Sequence, residues 1–384
     1  MKRSLYILVI LFSIVTLYSC KGRKTSKTPI ISGHVTGLTS RALYVMPEFD
    51  RSFVVDTLTI EEDKFAFNFV PDTTSFITLY FDQMARKVTL LVSPESKIQL
   101  EGPIGNLVVK NDSVNQMWIN YCNSVQPFQD SVLQVQGKLR AAYKADTMEL
   151  YFKEFYSDKR MNADSSWAKK VDQYVRANKN NPTALLAINE YITNTQNTDS
   201  IVTWMSVLGP LTNGFPLQKR LLGLAQEREI SKKGHILPYL TFLDGDNKEV
   251  KTEDMKKGLL FLYFYAEEDN FTRAVKKDLM KLKKDLDKTN KKIAAKDKAS
   301  KENTFAFWAI SYADNMEAWK SSIATDSTKI TNLFSSHGIL SDQLKDIGVG
   351  TIPSLLVLNE KQEIVSYNEY AGQLEKTIKA YLAK

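Results

Sequence analysis

Sulfur is the scarcest reactive group in this 384-residue chain, which holds only Cys20 and Cys122. Two thiols cannot build a four-cysteine zinc site or a disulfide scaffold. The histidines, His34, His235 and His337, lie in different regions without ligand spacing, so they are expected to be structural or exposed rather than ligands or bases. A run of carboxylates, Glu267-Glu268-Asp269, follows the apolar stretch Leu259–Ala266. At the start of a helix an aspartate caps free amides, and acidic groups suit the positive end of the helix dipole. The same run could instead bind a cation or work as an acid and base pair. No histidine accompanies it, which weakens the metal reading, so no metal site is expected. Cys122, within Trp118-Ile119-Asn120-Tyr121-Cys122, reads as a small apolar helix residue, with a reactive or intermolecular thiol as the alternative. Gly-rich phosphate loops, Gly-x-Ser-x-Gly and His-Glu-x-x-His are absent, and no cofactor is expected.

Cys20 has a telling context. Lys2 and Arg3 precede an apolar run of 13 residues, Leu5–Leu17, and then come Tyr18, Ser19 and Cys20. A charged start, a short apolar run and a small residue before the cut describe a signal peptide over residues 1–19. The run is shorter than the roughly 18 residues needed to span a bilayer. Leu17-Tyr18-Ser19-Cys20 resembles the lipobox of bacterial lipoproteins, which implies Cys20 as the lipid attachment site and residues 20–28 as a tether. Lys21 is not the aspartate that resembles inner-membrane retention, so the expected place is the outer membrane, facing the periplasm. If Cys20 carries lipid, Cys122 is the one thiol left, and no internal disulfide can form.

The elements that must position these groups fall into three stretches. Length suggests two or three domains, and 43% apolar with 25% charged residues excludes a disordered or collagen-like chain. Short β-branched and aromatic runs between turn clusters recur from Ile31–Thr36 to Leu107–Lys110. Lys64-Phe65-Ala66-Phe67-Asn68-Phe69 alternates with period two, which predicts an antiparallel β-sandwich over 29–112. Residues 113–232 read as a helical connector, with Ser113 and Asp199 as caps and Pro182 in a first turn. Residues 233–384 alternate strand and helix, the pattern of an α/β domain with a mixed sheet. Together these stretches make a multidomain α+β chain.

Four segments of that last stretch carry a likeness. They are Gly234-His235-Ile236-Leu237-Pro238 with Leu240-Thr241-Phe242, the strand Gly258–Ala266, Trp319, and Gly348-Val349-Gly350-Thr351-Ile352-Pro353 before Ser354-Leu355-Leu356-Val357-Leu358. In order and spacing they resemble the thioredoxin-like fold, in particular the redoxin and thiol–disulfide reductase branch found as lipoproteins in Bacteroidetes. Ile31-Ser32-Gly33-His34-Val35-Thr36-Gly37 and Asp63-Lys64-Phe65-Ala66-Phe67 resemble the small β domain of unassigned function that precedes such redoxin domains. In active relatives a Cys-x-x-Cys opens the helix after the central strand, and the helix end lowers the first thiol's pKa. Here the resemblance puts Asp269 and Thr272 at those positions, and residues 233–384 contain no cysteine. It also implies a cis-proline at Pro353, which without thiols reads as structural, with a retained peptide-docking groove at Ile352 and Pro353 as the alternative.

Two further patterns call for partners. Lys276 to Lys301 holds eleven lysines against four aspartates, which equals the formal net charge of +7. It reads as a solvated helix face or as a contact for anionic lipid headgroups or lipopolysaccharide phosphates. Aromatic interleaving is missing, so nucleic acid is not expected as a partner. Asp-Ser/Thr-apolar triplets at Asp56, Asp112, Asp130, Asp146 and Asp199 resemble an O-glycosylation signal of exported Bacteroidetes proteins, or equally caps and strand ends. The expected function is that of an envelope lipoprotein with a redox-inactive thioredoxin-like domain, a binding or accessory module for peptides or envelope proteins and held to the membrane by its lipid. The alternatives are a periplasmic thiol–disulfide oxidoreductase drawing on Cys122 or a partner's thiols, and an enzyme with non-thiol chemistry at the acidic turn.

Overall fold

The computed structural model describes residues 30–48, 56–69, 71–83, 86–144, 157–255, 258–296, 305–338, 342–350, 352–369 and 371–382. Cys20 with its leader and tether, Asp146-Thr147, Thr351, Lys298 and Lys301 lie outside them. The chain divides into two compact units, Met1–Asn120 and Tyr121–Lys384.

The first unit has eight strands, of which β1 and β2 alternate buried and more exposed residues: β1 (Ile31–Thr36), β2 (Ala42–Pro47), β3 (Asp56–Thr59), β4 (Lys64–Phe67), β5 (Ser75–Phe81), β6 (Arg86–Val92), β7 (Ile98–Pro103) and β8 (Val108–Lys110). They form two sheets, ordered β4-β1-β7-β8 and β3-β2-β5-β6. Phe65 of one sheet packs against Phe81 of the other, ring centroids 5.9 Å apart. One pairing departs from the antiparallel expectation, because β1 and β7 run parallel from Ile31↔Ile98 to Thr36↔Pro103. These strands are far apart in sequence, so no hairpin fixes their direction.

Helix α1 (Ser113–Lys144) begins beside this sandwich. Its cap is Asp112 rather than Ser113, since Asp112 Oδ1 accepts from the Asn115 amide at 2.9 Å. Asn115 is buried and reads β6 like another strand: its Oδ1 accepts from Leu91 N at 2.8 Å and its Nδ2 donates to Leu91 O at 2.8 Å. Trp118 is buried and donates to Thr89 O at 2.9 Å, whereas Met117 is exposed. The helix continues through Pro127.

The second unit contains α2 (Asp158–Ala177), α3 (Thr183–Thr195), α4 (Ile201–Ser206) and α5 (Pro216–Ile230). Their core is aromatic, with Tyr191 edge-on to both Trp167 and Trp204. Asp199, expected as a cap, instead accepts from Arg228 Nη2 at 2.7 Å. The rest of the unit is built on a seven-stranded sheet ordered β10-β9-β13-β12-β11-β14-β15. Its strands are β9 (Thr241–Leu243), β10 (Glu249–Lys251), β11 (Leu259–Tyr265), β12 (Phe305–Ser311), β13 (Thr331–Phe334), β14 (Ser354–Asn359) and β15 (Ile364–Tyr367). Strands β11, β12 and β13 are parallel neighbours, while β14 pairs antiparallel with β11 and with β15. Helices α6 (Asn270–Lys296), α7 (Met316–Ile323), α8 (Asp342–Asp346) and α9 (Ala371–Leu382) complete it. This is a thioredoxin-like arrangement, in a multidomain α+β chain. All seven residues of β11 are buried, because helices cover both faces. Phe261, Tyr263 and Tyr265 face α6 and α9, and Leu260, Leu262 and Phe264 face Leu344 and Ile347 on the other side.

Candidate functional site

The end of β11 delivers the chain into α6 through Ala266-Glu267-Glu268-Asp269. Asp269 closes the helix start, with Oδ1 accepting from Thr272 N at 2.7 Å. The Thr272 hydroxyl donates to Glu267 O at 2.9 Å, and Arg273 Nη1 donates to Glu268 O at 3.2 Å. The polar atoms at Asp269 and Thr272 are therefore spent on the turn itself. The turn offers no thiol, and Glu267 within it is exposed.

Beneath it lies a group of residues that the sequence reading passed over. Lys276, one turn into α6, has a wholly buried side chain, and its partners Glu268 and Asp326 are 1% and 2% exposed. Its ammonium pairs with Glu268 and donates to Asn332 Oδ1 at 2.7 Å. Asp326 Oδ2 and the Tyr265 hydroxyl lie at 3.4 Å, and the Tyr265 ring centroid at 4.7 Å. Trp319 of α7 donates to the same hydroxyl at 3.2 Å. Asp326 is held in turn by Asn332 Nδ2 at 2.9 Å and Thr328 N at 2.8 Å. Burial alone would raise the Asp326 carboxyl, but the hydrogen bonds from Thr328 and Asn332 and the Lys276 charge hold it below the usual carboxylate range. Burial, and then the Glu268 charge, push the Tyr265 phenol far above its ordinary value.

One cation thus ties the β11 end, the helix start, the loop before β13 and β13 itself into a single charged knot. Buried charges of this kind persist only when paired and hydrogen-bonded. Lys276 does not belong to the solvated lysine face expected of residues 276–301. The signal was the helical spacing of Thr272, Val275, Leu279 and Leu286, all buried, with Lys276 on that same face.

The peptide bond Ile352–Pro353 is cis, Ile352 is half-buried against the core, and Pro353 is exposed. The segment leading to it is covered by the end of α5. Gly348 has φ +69°, and a Cβ there would press into the Glu227 carbonyl and lie 2.6 Å from Ser231 N. Only glycine fits both the left-handed backbone and that approach. Arg228, also on α5, lies over the Tyr367 ring at 5.9 Å.

The remaining candidates do not join this site. Cys122 sits on α1 and is half-buried rather than fully inside. His34, His235 and His337 are all exposed, and His337 lines an open hollow of about 460 Å³ with Tyr239 and Asp342. Among the described residues no cluster of His, Cys, Asp or Glu is arranged to hold a metal ion, and no helix is long and apolar enough to cross a membrane.

No protein-family model and no curated protein matches the chain. Among solved structures it is similar to a thiol-disulfide oxidoreductase from Bacteroides fragilis, at 20% identity and a TM-score of 0.30, over 39% of this chain and 99% of that one. It is similar to a thiol:disulfide interchange protein from Bacteroides sp., at 19% identity and 0.32, over 40% and 93%. It is also similar to a thioredoxin-like protein from Bacteroides caccae, at 12% identity and 0.40, over 66% and 94%. The fold assignment rests on strand order: a parallel core β13-β12-β11, flanked by the antiparallel pair β14-β15 behind a cis-proline, is a thioredoxin-like sheet.

Proposed function

We propose that the chain is a cell-envelope lipoprotein, anchored through Cys20 at the periplasmic side of the outer membrane. Its thioredoxin-like domain does no dithiol chemistry and acts as a binding or accessory module, taking a peptide or an envelope protein along the edge at Ile352 and Pro353. The carrying observation is the start of α6. There Asp269 and Thr272 are consumed in capping, the buried Lys276–Glu268–Asp326 knot braces the turn from below, and residues 233–384 offer no sulfur. Disulfide exchange needs an attacking thiolate and a resolving thiol, and a lone Cys122 on a distant helix supplies at most the first.

The test is insulin reduction with dithiothreitol as electron donor. Purified protein is expected to leave the rate at the level of dithiothreitol alone. Turnover above that level that disappears in Cys122→Ser would overturn the proposal in favour of a thiol–disulfide oxidoreductase.

A further inference from the structure

Helix α6 is buried along one side and lysine-lined along the other. Val275, Leu279 and Leu286 enter the core, and Leu282 packs against it. Lys277, Lys281, Lys284, Lys288 and Lys291 are all exposed, at spacings i, i+4, i+7, i+11 and i+14. At about 100° per residue these five fall within about 80° of one another, centred opposite the buried stripe, and they cover about 21 Å of helix.

The helix's acids stand to the sides. Asp287 pairs with Lys283 at 3.0 Å and Asp285 with Lys288 at 3.3 Å, and no acidic residue falls inside the stripe. Four successive lysine pairs therefore face each other at i,i+3 or i,i+4, where like charges cost a few tenths of a kcal/mol each. A helix that needed only solubility would interleave glutamates. A row of ammonium groups, of which Lys288 alone has a carboxylate partner among the described residues, sits on a helix packed on its domain and complements a surface of fixed negative charge.

We propose that the Lys277–Lys291 stripe is a peripheral membrane contact that lays α6 along a bilayer carrying anionic phospholipids. The contact is electrostatic, since the stripe contributes no apolar side chain to insert. The inference borrows from the proposed lipid anchor only the means by which the body is kept near a bilayer, and it does not depend on the redox behaviour of the domain.

The experiment places the full chain on phosphatidylcholine vesicles with and without phosphatidylglycerol and measures the acetylation rate of each lysine by mass spectrometry. Because the chain is present on both vesicle types, the anchor is common to both arms. Lys281, Lys284 and Lys291 are expected to react about tenfold more slowly on the anionic vesicles, with protection lost near 1 M salt, where the screening length is about 3 Å. Lys169 and Lys170, exposed on α2, are expected to react alike in both. In the variant Lys281→Gln, Lys284→Gln, Lys291→Gln the phosphatidylglycerol-dependent part of vesicle partition is expected to fall roughly a hundredfold, from about fivefold for each lysine. Equal rates for these lysines on the two vesicle types, or an unchanged partition in the triple variant, would overturn the proposal.

Discussion

Asp164 is a residue whose charge the fold disfavours. On α2 it has only Arg160 within reach, at 3.9 Å, and its Oδ1 has no hydrogen-bond partner among the described residues. Burial, opposed more weakly by Arg160, pushes its carboxyl up to about 6. A carboxyl raised in the native state holds its proton more tightly there than in the unfolded chain. Its contribution is therefore most favourable below the unfolded value and is lost as pH rises from about 4 to about 6, above which the penalty stays constant. Asp164→Asn is expected to raise the unfolding free energy at pH 7 by on the order of 1 kcal/mol, discounted for solvent screening, and with it the urea midpoint, and to match wild type near pH 4. A midpoint at pH 7 no higher than that of wild type would refute this. At this scale the sequence was partly legible. Asp269 could be read as a cap because capping depends only on residue type and the helix that follows. Lys276 could not be read as buried from its own type, since its partners Asp326 and Asn332 arrive from an element more than 49 residues away.

Elements were readable where burial is two-sided or periodic. The stretches over β1, β5 and β11 stand out because apolar residues run or alternate for six or more positions. Short pieces such as β10, β13 and α8 carry three to five residues and no period, and only pairing with neighbours makes them structure. Strand β13 matters most among them, since it carries Asn332 to the Lys276 knot. That knot predicts how α6 is held. Lys276→Met leaves Glu268 and Asp326 buried without their cation, and a loss of roughly 3–5 kcal/mol is expected in urea unfolding. Adding Glu268→Gln and Asp326→Asn to Lys276→Met is expected to recover part of it, because the uncompensated charges are gone. A loss below about 1 kcal/mol for Lys276→Met would mean that the ammonium finds water and that the knot does not brace the helix start.

The molecule as a whole joins a two-sheet unit to a larger unit of helices and a seven-stranded sheet. Composition and turn spacing foretold the kinds of structure, but not that one helix, α1, would run across the division at Asn120. The proposed anchor belongs to this scale, because it decides where the entire body works. An alkyne fatty acid fed to the producing cells is expected to label wild type and not Cys20→Ala, and label of equal intensity in both would remove the anchor. One small contact set by α1 also bears on how copies of the protein treat each other. Strand β6 lies at the rim of its sheet, where bare amides and carbonyls would invite a neighbouring molecule to add a strand of its own. Asn115 occupies both groups of Leu91 near the end of that rim and Trp118 takes the Thr89 carbonyl, so two side chains of one helix deny crowded molecules the template on which they could zip into aggregates.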